Sequence, residues 1–128
     1  MMSQASATRI LVVDDEPEIR AFMSDALGMF GYQVIAAADA DEAFASMAQT
    51  RFDLVISDLR LPGLRGYDLV VGLRHVDPAL RVIMLTGSVP EDDDLRGVRE
   101  AGIAVLHKPV QLPQLQRAVA EALRERAA

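Results

Sequence analysis

The chain has 128 residues, 51% hydrophobic and 25% charged, with a net charge of −6 and no cysteine. That is the length of one domain with a sizeable core, and the missing thiols exclude disulfides and thiolate metal sites. The acidity, with no dense basic patch, argues against nucleic-acid binding by this chain alone. No apolar run nears the roughly 20 residues of a membrane helix, which, like the absent cysteine, fits the cytoplasm. The opening MMSQASAT lacks the basic end and apolar run of a signal peptide, so residues 1–8 read as a short disordered lead.

The first apolar run is 10–13, followed by a helical pattern in which Ile19, Phe22, Met23, Ala26, Leu27 and Phe30 share one face. Pro17 suits its first turn and Gly31 its C-terminal stop. Further apolar runs follow at 32–37, 54–57, 81–85 and 104–107. Helical patterns at about 41–48, 66–75 and 92–101 separate them, and Leu112, Leu115, Val119 and Leu123 mark a last helix. The apolar stripes read as core packing. Near-continuous Val, Ile and Leu runs suit parallel strands covered on both faces. Strand and helix alternate five times, which predicts an α/β sandwich with right-handed crossovers.

In open parallel sheets the chemistry lies beyond the carboxyl ends of the strands. After the first run come Asp14, Asp15 and Glu16; Asp58 follows the third, Thr86 the fourth, and Lys108 and Pro109 the fifth. Taken singly, each has an ordinary explanation. The acids suit a helix N-cap, Asp58 a turn, Thr86 a strand end and Lys108 the solvated surface. Their arrival at one sheet edge points to chemistry instead. Lys108 is also the single lysine among thirteen cations, a compact ammonium where every other cation is a planar guanidinium.

Clustered carboxylates raise one another's proton affinity until a cation relieves them. Mg²⁺ takes about six oxygens and keeps several waters. Asp15 and Asp58 could ligate it directly, and Asp14 directly or through water. An Asp carboxylate so placed can attack phosphorus and form an acyl phosphate. Lys108 would then pair with the new dianion, and the Thr86 hydroxyl would donate to one of its oxygens.

The segments ILVVDDEP, DLVISDLRLPGLRGYDL, VIMLTG and HKP resemble, in order and spacing, the four signature blocks of response-regulator receiver domains. The resemblance covers nearly the whole chain and frames residues 9–126 as the receiver domain. It implies a flavodoxin-like, doubly wound five-stranded parallel sheet of order 2-1-3-4-5 with helices on both faces. It implies that Asp58 is phosphorylated and that Asp14 and Asp15 are the acidic pair for Mg²⁺. Arg60 offers its backbone carbonyl to the metal, Thr86 is the switch hydroxyl, and Lys108 is the family lysine. Pro62 and Gly66 fit the loop after the acceptor, and a cis bond is implied before Pro109. The phosphoryl group would come from a histidine of a sensor kinase or phosphotransfer protein, or from acetyl phosphate. Homodimerisation would use the face of the fourth helix, fifth strand and fifth helix. KPVQLPQL reads more like the receivers of hybrid sensor kinases than those of DNA-binding regulators, and the chain is either a free-standing regulator or a receiver cut from a longer protein.

The family often places an aromatic ring three residues before the lysine, and here that residue is Val105. Aromatic-coupled switching is therefore not expected. Arg60, Gly87 and Ser88 stand at the variable positions expected to tune the acyl-phosphate lifetime. His75 reads as a surface residue, and His107 as packed against a helix or facing solvent. The run Glu91, Asp92, Asp93, Asp94 reads as a helix start favoured by the dipole. A phosphatase of the haloacid-dehalogenase type needs an acid two residues after its nucleophile, where this chain has Arg60. A nucleotide module needs a Gly-rich loop after the first strand, where this chain has Asp-Asp-Glu-Pro. A receiver-like module that is never phosphorylated usually lacks an acid or the lysine, and none is lost here.

Overall fold

The computed structural model describes residues 7–87 and 93–127. Seven strands and five helices follow one another as β1 (Arg9–Val13), α1 (Pro17–Met29), β2 (Gln33–Ala37), α2 (Ala40–Gln49), β3 (Leu54–Asp58), β4 (Arg60–Leu61), β5 (Leu64–Arg65), α3 (Gly66–Val76), β6 (Arg81–Thr86), α4 (Asp93–Glu100), β7 (Ala104–His107) and α5 (Leu112–Ala127). Five of the strands form one sheet, ordered β2-β1-β3-β6-β7. All its pairings are parallel. Counting the sheet strands alone, this is the expected 2-1-3-4-5. The antiparallel β4–β5 pair was not anticipated; it turns at Pro62 and Gly63, and Gly63 has φ +73°. The predicted lead falls mostly on residues outside those described, as do Ser88, Glu91 and Asp92.

Alternation along the strands divides the core in two. Ile10, Val12, Leu54, Ile56, Ile83 and Leu85 pack with Met23, Ala26 and Leu27 of α1 and with Leu115 and Val119 of α5. Leu11, Val13, Val55, Val82 and Met84 point the other way. They pack with Ala43 and Met47 of α2, Leu69, Val70 and Leu73 of α3, and Leu95 and Val98 of α4. The central strands β1, β3 and β6 are buried almost throughout, whereas β2 and β7 at the sheet edges are only partly covered. The uniform burial read from the apolar runs therefore holds for the middle of the sheet, because an edge strand has only one neighbour.

Two helices end alike. Tyr32 N–H donates to Leu27 O and Gly31 N–H to Gly28 O. Ile103 N–H donates to Val98 O and Gly102 N–H to Arg99 O. Gly31 and Gly102 have φ of +99° and +77°. This paired bonding across a left-handed glycine stops each helix and satisfies its last carbonyls. Among the described residues no helix is long and apolar enough to cross a membrane.

Candidate functional site

The sheet register decides which residues meet. β1 ends at Val13, so Asp14 is the first residue past it, tied to β2 by its N–H donating to Ala37 O at 3.1 Å. Asp58 is the last residue of β3 and Thr86 the last of β6. Lys108 follows β7 directly, and its N–H donates to Thr86 O at 2.8 Å. These strands are neighbours in the sheet, so their ends lie side by side.

Asp14, Asp58 and Lys108 come together there. The Lys108 ammonium lies 2.8 Å from Asp58 Oδ2, 3.0 Å from Asp14 Oδ2 and 2.8 Å from Glu16 Oε1. Three carboxylates thus surround one cation. Asp14 is fully buried and Asp58 is 8% exposed, whereas Glu16 is exposed. Backbone groups aim the two buried acids. Glu16 N–H donates to Asp14 Oδ1 at 2.9 Å, and Arg60 N–H to Asp58 Oδ1 at 3.0 Å. Arg20, the fourth residue of α1, donates from Nη1 to the Asp14 carbonyl at 2.7 Å and ties the loop to the helix. Thr86 is buried beside this group. Lys108–Pro109 is a cis peptide.

The charges perturb one another. Burial pushes the Asp14 carboxyl above its ordinary range, and the nearby Asp58 charge adds to this; the Glu16 N–H and Lys108 pull the other way and do not fully compensate. For Lys108, burial alone would favour the neutral amine. Hydrogen bonds to Asp58, Glu16 and Asp14 outweigh it and hold the ammonium above its ordinary range. Asp14 Oδ2 is buried and receives no well-formed hydrogen bond, although the ammonium lies 3.0 Å away. One ammonium against three carboxylates leaves the cluster net negative, with a buried oxygen still open to a cation. Asp14, Glu16 and Asp58 each bring an oxygen within 4.8 Å of the others, a spacing that fits one metal ion.

Asp15 stands on the same loop, exposed and outside that group of three. Arg60 is exposed and meets the site through its N–H. Val105 pairs with Met84 and packs against the α2–α3–α4 side of the core. His75 is exposed. His107 is exposed too, its Nε2 3.2 Å from Arg99 Nη2 of α4, so it both faces solvent and touches a helix. The contact of Glu16 with Lys108 is the feature that sequence reasoning missed. The two are 92 positions apart, and an acid before a Pro-led helix reads as a cap. Yet Glu16 makes no side-chain cap hydrogen bond, which leaves its carboxylate free to reach the lysine.

Known proteins share this fold. A family model described as the response regulator receiver domain matches residues 10–120. The chain is 36% identical over 121 residues to the response regulator protein PilR of Pseudomonas aeruginosa, covering 94% of this chain and 27% of PilR. It is 33% identical over 128 residues to the transcriptional regulatory protein PrrA of Mycobacterium leprae, covering 100% of this chain and 55% of PrrA. The chain thus spans about half or less of the curated relatives it matches. A crystal structure of a CheY-like response regulator receiver domain protein from Methanospirillum hungatei superposes with a TM-score of 0.87 at 31% identity, over 94% of this chain and 97% of that one.

Proposed function

The chain belongs to the response regulator receiver family of two-component systems, and on that premise we propose that Asp58 accepts a phosphoryl group in a Mg²⁺-dependent reaction. The observation that carries this reading is the meeting of Asp14, Asp58 and Lys108 at one sheet edge, with Asp58 Oδ1 held by a backbone N–H. The donor is a phosphohistidine on a sensor kinase or phosphotransfer protein, or a small acyl phosphate. An Asp58 oxygen bonds to phosphorus as the donor's P–N or P–O bond breaks, and the leaving group keeps that electron pair.

Asp14, Asp15, Asp58 and the Arg60 carbonyl are the groups proposed to hold the metal. The open Asp14 Oδ2 and the net negative charge support that assignment. Bound Mg²⁺ would offset the charge of carboxylate and phosphate together. Lys108 would turn from carboxylate to phosphoryl oxygen, and Thr86 would donate its hydroxyl to another. The receiver unit is taken as residues 9–126, and its partner faces, including any homodimer face of α4, β7 and α5, belong to the same proposal. A module that is never phosphorylated is disfavoured because every acid and the lysine are present.

Incubation with acetyl phosphate and Mg²⁺ tests this by intact mass. One added phosphoryl group is expected, absent with chelator and in Asp58→Asn. If none appears, Mg²⁺-dependent thermal stabilisation by beryllofluoride distinguishes a short-lived adduct from a dead site. Its absence as well would leave a static interaction module.

A further inference from the structure

An ammonium has three N–H donors; here two of them go to Glu16 Oε1 and Asp58 Oδ2 at 2.8 Å, and Asp14 Oδ2 lies 3.0 Å away without a well-formed hydrogen bond. Three carboxylates thus enclose the ammonium, and a phosphoryl oxygen must displace one of them to reach it. The three acids differ in what release costs. Asp14 is buried and its Oδ2 has no hydrogen bond, so losing the cation strands a buried charge. Asp58 Oδ2 is 11% exposed at its side chain and belongs to the acceptor itself. The Glu16 side chain is 55% exposed, and water replaces the lysine there at little cost. Glu16 also caps nothing through its side chain, so the lysine is the group its carboxylate reaches in the resting site.

We propose that Glu16 is a positioning residue that holds the Lys108 ammonium in the resting site and competes with the incoming phosphoryl group for it. The inference rests on the receiver reading and adds a restraint within the same site. It makes the Glu16 carboxylate a brake. Phosphorylation requires the lysine to exchange Glu16 Oε1 for a phosphoryl oxygen, and loss of the phosphoryl group lets Glu16 recapture it. The bonds made and broken at phosphorus are unchanged; only the hydrogen-bond partner of Lys108 differs between the two ends of the step.

Because Lys108 is the only lysine, its ammonium gives a single nitrogen resonance in protein labelled at lysine. In the wild type, without donor or metal, that resonance is expected to be sharp and protected from exchange. In Glu16→Gln, which lacks the charge, and Glu16→Asp, which keeps the charge but is one methylene too short, it is expected to broaden. With acetyl phosphate at saturating Mg²⁺, both variants are expected to take up phosphate roughly two- to fivefold faster than wild type, the range an ion pair half in solvent is worth. Unchanged or slower uptake in Glu16→Gln would overturn the proposal. So would wild-type behaviour of Glu16→Asp, because charge rather than reach would then matter. An ammonium resonance indifferent to both substitutions would overturn it too. The resonance needs no phosphorylation, so it tests the clamp even if the wild type takes up no phosphate, which would instead refute the acceptor reading.

Discussion

At Asp14 burial and ion pairing act in opposite directions, and burial wins. Its folded-state carboxyl binds a proton more tightly than the unfolded chain does. Stability is therefore lost as pH rises from the unfolded carboxylate value through the folded one, and the loss persists at neutral pH. Asp14→Asn removes the charge while keeping the shape. It is expected to raise the melting temperature at pH 7 without Mg²⁺, with the gain shrinking as pH falls through the raised folded value and gone below about 4; a thermal scan across pH checks it. Asp14 and Asp58 could be read from their places after strands, since a strand end is a fixed address in this fold. Glu16 could not, because its partner is brought to it only by the crossing of β7 beside β6.

Among the elements, the two glycine-terminated helices make a matched test. Gly31 and Gly102 hold positive φ, where an L side chain crowds its own backbone. Gly31→Ala and Gly102→Ala are each expected to cost about 1–2 kcal/mol by chemical denaturation. No tertiary contact explains that loss, because beyond the local backbone nothing lies within 4 Å of an added Cβ at either site. The strands of the sheet and all five helices were legible from apolar periodicity, with ends displaced by a residue or two except at α5, which runs on to Ala127. The β4–β5 pair was not, because two-residue strands carry no period. In the core, Leu115 of α5 is fully buried against β6 and its neighbours. Leu115→Ala is expected to cost about 2–5 kcal/mol, read as a lower denaturation midpoint at unchanged slope.

For the molecule as a whole, the sheet brings distant parts of the chain to one charged edge, so a ligand there is linked to global stability. Mg²⁺ binding to the folded state alone, as proposed, would stabilise it by about 2.7 kcal/mol at a hundredfold excess over Kd. The melting temperature is expected to climb with Mg²⁺ concentration and to return with chelator, and Asp58→Asn should blunt the rise. The family and the parallel sheet follow from patterns spread along the whole chain, whereas the three-carboxylate clasp on Lys108 depends on side-chain reach and appears only in three dimensions. The central claim is that Asp58 is the acceptor, and borohydride trapping tests it most directly. The protein is treated with acetyl phosphate and Mg²⁺, reduced so that any acyl phosphate becomes a primary alcohol, and digested for peptide mass analysis. Homoserine at position 58 is the predicted result; a reduced residue at position 14 or 15 with Asp58 intact would contradict the account.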